Sequence, residues 1–238
     1  MLTVREIWRF PVKSMGGERV EQVAVTETGI IGDRAWGVRD VATGMILTGR
    51  REPRLLMATA AIHERSPVVH LADGRRLTTD AELSEWLDQP VELVSADTAP
   101  GTYENPRDVD REENWVSWQG PIGSFHDSPQ RVSMVSTASL DGYAAKRFRI
   151  NLILDGADHS LSETALIDRD VTIGSVGLHL RRPITRCVMI TRAQPGLEAD
   201  RSVLKRLVRE RDNLMGIGAQ VYRDGMLAVG DAVRPLPD

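Results

Sequence analysis

A chain of 238 residues, 41% of them hydrophobic, is long enough to bury one large core or two smaller ones. Its formal charge of -4 and pI near 5.8 exclude a global basic field, so nucleic acid and anionic membrane surfaces are not general partners and any anion site must be local. A single cysteine, Cys187, excludes an intrachain disulfide framework, a cysteine-rich zinc site and a four-cysteine iron–sulfur cluster, and points to a reducing, cytoplasmic compartment.

Charges at Arg5, Glu6 and Arg9 interrupt the opening residues, so neither a signal peptide nor a membrane span is predicted there. Residues 20–25 are β-branched and read as a strand, Gly29, Gly32 and Asp33 punctuate, and 35–38 and 45–48 flank a turn at Thr43 and Gly44. Residues 54–62 form a longer apolar run. Stretches 68–71 and 75–78 are joined through Asp73 and Gly74, a hairpin signal because both tolerate positive φ. Asp80 is predicted to cap a helix over 81–87, and 91–94 returns to strand. From 97 to 129 the chain loosens. Pro100, Pro106, Pro121 and Pro129, with the acidic run 108–113, predict a long irregular excursion or lid between two halves, in which Trp115 and Trp118 still pack against something.

Residues 131–135 read as strand, a helix is predicted from Ser136 or Thr137 to about Arg147, and 149–154 is strand again. A β-rich stretch at 171–180 leads into a strand carrying Cys187. Asp200 is predicted to cap a helix with Val203, Leu204, Leu207 and Val208 on one face and a solvated charged face opposite. A hairpin through Asp224 and Gly225 and a strand over 230–234 close the chain. Many short strands and few helices predict a mainly β fold of the α+β class, a β-barrel with peripheral helices, divided into units at 1–95 and 96–238.

The chemistry gathers at 181–195, where Cys187 follows Arg181, Arg182, Thr185 and Arg186. Neighbouring guanidinium groups favour the charged thiolate, and a soft thiolate suits a sulfur-rich metal centre. Each residue also has a plainer reading. A lone cysteine is a small buried hydrophobe in most proteins, Lys13 and Arg34 read as surface charges, and Arg149 as the polar face of a strand. Asn151, an amide inside an apolar run, requires a buried partner. His63, His70, His126, His159 and His179 lack metal-ligand spacing, and Gly216 and Gly218 precede no P-loop lysine.

The segments FPVKS at 10–14, GDRAW at 32–36, TGRREPRL at 48–55, RFRIN at 147–151 and TRC at 185–187, with the closing VGDAV at 229–233, occur in an order that resembles the MOSC family. The resemblance spans nearly the whole chain and includes the N-terminal β-barrel part found in the mitochondrial amidoxime-reducing component and its bacterial relatives. It implies a MOSC-type β-barrel with an N-terminal β-barrel-like subdomain, and a molybdenum cofactor (Mo-molybdopterin) whose metal is bound by Cys187. Lys13, Ser14, Arg34, Ser128, Arg149, Asn151, Thr185 and Arg186 would hold the pterin and its phosphate, with Asp127 beside them. The implied activity is reduction of N-hydroxylated or N-oxygenated compounds with electrons from a separate ferredoxin-like or flavin reductase partner, since one cysteine cannot supply a cluster. The alternative implied by the same family is a sulfur carrier or cofactor-delivery protein, with Cys187 as a persulfide or as a cofactor ligand. The insertion around 108–118, and Ala165 where relatives carry an aromatic, depart from the family pattern.

Overall fold

A computed structural model describes residues 1–98, 100–108, 113–120, 122–156 and 162–237. Residues 109–112 of the acidic run, Pro121 and His159 lie outside the described residues. The chain is mainly β. Its largest sheet has eight strands in the spatial order Val233–Pro235, Asp170–Ile173, Val176–Thr185, Leu214–Arg223, Val132–Ser136, Leu152–Gly156, Leu2–Arg9 and Glu18–Val20. All neighbours are antiparallel except Val132–Ser136 with Leu152–Gly156. The sheet curls toward closure, because Thr3 bridges to Ala232 and Val4 exchanges backbone hydrogen bonds with Asp231 and Gly230. Closure leaves fewer exposed strand edges, and inward residues such as Val4, Ile7, Met134, Leu152, Leu178 and Ile217 fill the interior.

The N-terminal half packs a second core from Val12, Met15, Leu55, Val69, Leu83 and Val91, built on two small sheets and the helix Asp80–Leu87. The halves share strands. Leu2–Arg9 belongs to the large sheet, while Gln22–Thr26 pairs with Gly225–Ala228 near the end of the chain. That second pairing replaces the hairpin predicted through Asp224 and Gly225; Ser175 instead receives Met226 N–H on its hydroxyl (2.8 Å) and carries the strand across. Among the described residues no helix is long and apolar enough to cross a membrane.

Local chemistry also moves several predicted boundaries. Thr79, not Asp80, caps the first helix, because its hydroxyl and the Glu82 carboxylate form a reciprocal capping box. The helix expected to reach Arg147 ends at Leu140, where Asp141 and Gly142 both take positive φ, and a separate 3-10 turn follows at Ala145–Phe148. The strand expected from 149 starts at Leu152, because Arg149 is left-handed. Asp200 lies one residue before the N-cap Arg201 and accepts the Ser202 N–H (2.8 Å).

The excursion expected to be irregular contains an antiparallel hairpin, Thr102–Asp108 against Glu113–Gln119, in which Pro106 faces Trp115. Proline is tolerated because this two-stranded ribbon is all edge. The tryptophans do pack: the Arg51 guanidinium lies 3.7 Å from the Trp115 ring centre, and the Tyr103 and Trp118 rings are 4.9 Å apart.

Gly17 sets the approach of strand Glu18–Val20 to Leu2–Arg9, since a Cβ there would lie 2.1 Å from the Arg9 carbonyl oxygen. Gly17→Ala is therefore expected to destabilise the protein by about 1–3 kcal/mol, the usual cost of overpacking. A thermal melt superimposable on the wild type would show that this contact relaxes freely.

Candidate functional site

Two ten-residue strands, Val176–Thr185 and Leu214–Arg223, pair from Gly177 opposite Arg223 to Thr185 opposite Leu214. Beyond Thr185 the ladder cannot continue, because Asp212 and Asn213 are left-handed and close the partner strand. Arg186 N–H donates to Asn213 O (3.0 Å), and Asn213 Nδ2 donates back to Arg186 O (2.6 Å). Cys187 is thereby lifted out of the sheet. It stands at the head of the 3-10 turn Val188–Thr191, not within the predicted strand, and is half-buried.

Two hollows meet at this sulfur. An outer cleft of about 680 Å³ and an inner basin of about 230 Å³ are both lined by Lys13, Ser14, Asp127, Thr185, Cys187 and Met189. Arg34, Arg147, Arg149 and Arg186 complete the basin. With Lys13 this makes five cations, faced by Asp127 and backed by Asp33, an excess of three positive charges.

These cations are held in place by the protein itself. Lys13 is buried and donates from Nζ to Phe125 O (3.0 Å) and Asp127 Oδ1 (2.5 Å), above the Tyr103 ring at 4.3 Å. Burial pushes its pKa down against the opposing pull of Asp127. The Asp127 side chain is 70% exposed because it looks into the open cleft. The surrounding protein would raise its pKa, but the Lys13 ammonium holds the carboxyl below its usual range. Asp33, buried, accepts Phe10 N–H (2.7 Å) and pairs with Arg34, and His126 Nε2 lies 3.2 Å away. Burial alone would raise its pKa; Arg34 and His126 hold it well below the carboxylate range. Arg34 Nη2 donates to Arg149 O (3.0 Å), and both guanidinium groups lie 4.9 Å from the Phe10 ring.

Arg149 also donates to Met15 O, and Arg186 donates to Met215 O (3.0 and 2.6 Å) and Phe148 O (2.9 Å). Burial lowers the pKa of each to about 9, with Arg34 adding repulsion, so both remain charged at neutral pH. Ser14, Arg34 and Arg149 all have left-handed backbones, at φ 70, 52 and 50°. Such conformations cost energy in non-glycine residues and cluster where surrounding structure fixes a functional geometry.

Of the residues anticipated from sequence, Lys13, Ser14, Arg34, Ser128, Arg149, Thr185, Arg186 and Cys187 line one hollow or both. Asn151 lines neither. Its Oδ1 accepts from Ser133 N (3.1 Å) and Ser133 Oγ (2.8 Å), and its Nδ2 donates to Trp8 O (3.2 Å). It stands behind the cleft and positions Ser133, which does line it, so the buried partner that an amide in an apolar run requires is a serine of the protein. Asn151→Ala is expected to cost about 1–3 kcal/mol by stranding the Ser133 donors, read as a fall in urea midpoint; an unchanged midpoint would mean that water replaces the amide.

Thr48, Arg50, Asn105, Gln130 and Arg182 line the outer cleft without having been assigned to the site. Thr48 and Arg50 lie inside the TGRREPRL segment, which was signal enough. Asn105 carried none, because it reaches the cleft only through the unforeseen hairpin.

A pterin bearing a metal and a phosphate requires a soft ligand, anion-binding cations and unsatisfied polar groups facing the hollow. The Cys187 sulfur and the cationic basin meet the first two needs. Thr48 bears on the third: it lines the outer cleft, and among the described residues its buried Oγ1 has no hydrogen-bond partner, a costly state for a hydroxyl. The donor set fits the molybdenum cofactor.

Among solved structures, the YuaD protein from Bacillus subtilis is 12% identical, with 98% of this chain and 94% of that chain covered at a TM-score of 0.49. A hypothetical protein is 11% identical over 100% of this chain and 69% of that one, at 0.45. YiiM from Geobacillus stearothermophilus is 13% identical over 57% and 72%, at 0.35. No curated protein matches the chain. The family model of the MOSC N-terminal beta barrel domain matches residues 1–117, and that of the MOSC domain matches residues 126–234. The chain therefore belongs to the MOSC family, whose domains are linked to molybdenum-cofactor binding.

Proposed function

We propose that the protein is a molybdenum-cofactor-dependent reductase of N-hydroxylated or N-oxygenated compounds, supplied with electrons by a separate ferredoxin-like or flavin-containing partner in the cytoplasm. The observation that carries this reading is the half-buried Cys187 sulfur at the junction of an open cleft and a cationic basin.

When bound, the cofactor supplies the two-electron exchange by which the N–O oxygen leaves as water. The chain's own groups do the rest. Cys187 offers the thiolate ligand. Lys13, Ser14, Arg34, Arg149, Thr185 and Arg186, which line the basin, would hold the cofactor's anionic parts, and fixed guanidinium groups would need no reorganisation to do so. Asp127 lies in the cleft against the Lys13 ammonium, so the Nζ–Oδ1 contact holds a proton in the lining that both hollows share with Cys187, one of the two that release of water consumes. The outer cleft remains the route for substrate.

The test is production in a host that makes the cofactor, followed by metal and pterin analysis and by reduction with a competent donor. Bound molybdenum, with substrate-dependent reoxidation by amidoximes or hydroxylamines, is the expected result. Molybdenum-loaded protein that no N-hydroxy compound reoxidises ends the reductase reading. A reducible gain of one sulfur on Cys187 by intact mass, without bound molybdenum, replaces it with sulfur transfer.

A further inference from the structure

The outer cleft is lined by Arg182 to Thr185 of the strand Val176–Thr185 as well as by Cys187, and at Arg182 its chemistry differs from that of the basin. Near the sulfur, the cations are committed within the protein. Lys13 is paired with Asp127, Arg34 with Asp33, and Arg147, Arg149 and Arg186 donate to backbone carbonyls. Arg182 is not. It lines the cleft, is exposed, and among the described residues no carboxylate lies within ion-pair distance of it.

The local backbone has made room around this guanidinium. A bulge between Leu180 and Arg182 shifts the register so that Arg182 comes opposite Gly218. A Cβ on Gly218 would stand 2.7 Å from the Gln130 Cβ, so the glycine lets the Gln130 side chain lie across the sheet at the cleft wall. Gln130 is oriented in turn, since Ser128 Oγ donates to its Oε1 and leaves Nε2 as the group with hydrogens to offer. A guanidinium with no carboxylate partner among the described residues and an oriented amide donor, lining one cleft large enough for a drug-sized molecule, match a carboxylate, whose two oxygens can accept from both.

We infer that Arg182 and Gln130 form an anion subsite, and that the substrates favoured by this protein are N-oxygenated compounds carrying a carboxylate at the end remote from the N–O group. The inference rests on the reductase reading of the Cys187 end. Anchoring the remote carboxylate orients the reacting end at the sulfur side, which is how binding energy distant from the chemistry aids a reaction.

The experiment compares the holoenzyme with its Arg182→Gln variant on a matched pair, an aryl amidoxime and the same compound bearing a para-carboxylate. Calorimetric titration with the two corresponding amidine products gives a readout independent of turnover. The wild type is expected to favour the carboxylate member in kcat/KM and in product affinity. In the variant that preference should fall about tenfold, the loss lying in KM, as removal of one charge-assisted hydrogen-bonded pair predicts. Equal preference in wild type and variant, by both readouts, overturns the subsite. Loss of bound molybdenum from the variant also overturns it, by assigning Arg182 to the cofactor. Should wild-type holoenzyme reduce neither compound, the reductase reading fails separately; the amidine titrations then decide the anion subsite by themselves, upholding it only if the variant loses the carboxylate preference.

Discussion

Cys187→Ser is expected to lower turnover by at least about a hundredfold while leaving part of the cofactor bound. Loss of an outer partner that only orients a metal ligand typically costs about 10–100-fold, so loss of the ligand itself should cost no less. Serine preserves the shape at the head of the Val188–Thr191 turn, and the turn's backbone bond from Ile190 N to the residue 187 carbonyl (3.2 Å) does not involve the side chain. The fold should therefore survive, and the change reports on sulfur alone, because a hydroxyl is a hard, neutral ligand where the thiolate is soft and charged. The basin cations are untouched by the substitution and should still hold the anionic parts of the cofactor under the proposed function. Pterin content, metal content and steady-state rate measured on one preparation separate these effects. A serine variant with the wild-type rate would remove Cys187 from the metal and with it the basis of the proposed chemistry.

Asp33→Asn is expected to destabilise the protein by about 3–5 kcal/mol, the range for breaking a buried ion pair from one side. Asp33 is buried beneath the site, where it receives Phe10 N–H and pairs with Arg34, whose guanidinium in turn holds the Arg149 carbonyl. Neutralising it leaves the half-buried Arg34 guanidinium without its carboxylate partner. The pH dependence has a defined sign. Because the folded-state pKa of Asp33 is depressed, its contribution is complete above the unfolded pKa of about 3.9 and is lost as pH falls below that value toward the folded one. The stability gap between wild type and variant should thus be constant from neutrality to about pH 5 and shrink on further acidification. Urea denaturation across this range tests it, and a gap that stays constant down to pH 3 would show that the carboxylate is not what stabilises the pair.

Much of this protein could be read from its residues in order. Alternating β-branched runs, the Asp73 and Gly74 turn and the amphipathic stretch before Arg211 announced a β-rich chain with few helices, because side-chain periodicity and turn chemistry act over a handful of residues. The segments around Lys13, Arg34, Arg149 and Cys187 marked the family and most of the inner basin, but only a minority of the outer cleft. The demand of Asn151 for a buried partner was equally legible. The identity of that partner was not, since Ser133 meets it only through the parallel pairing of Val132–Ser136 with Leu152–Gly156.

What the tertiary structure alone decided are the meetings of residues distant in the chain. Lys13 with Asp127, Arg149 with Met15, Arg182 with Gly218 and Gln130, and Gln22–Thr26 with Gly225–Ala228 all depend on how the large sheet curls and which strands the halves exchange. A residue's own chemistry dictates that it needs a partner, an anion or a turn; which group supplies it follows from the packing of the whole chain, and no local pattern encodes that choice.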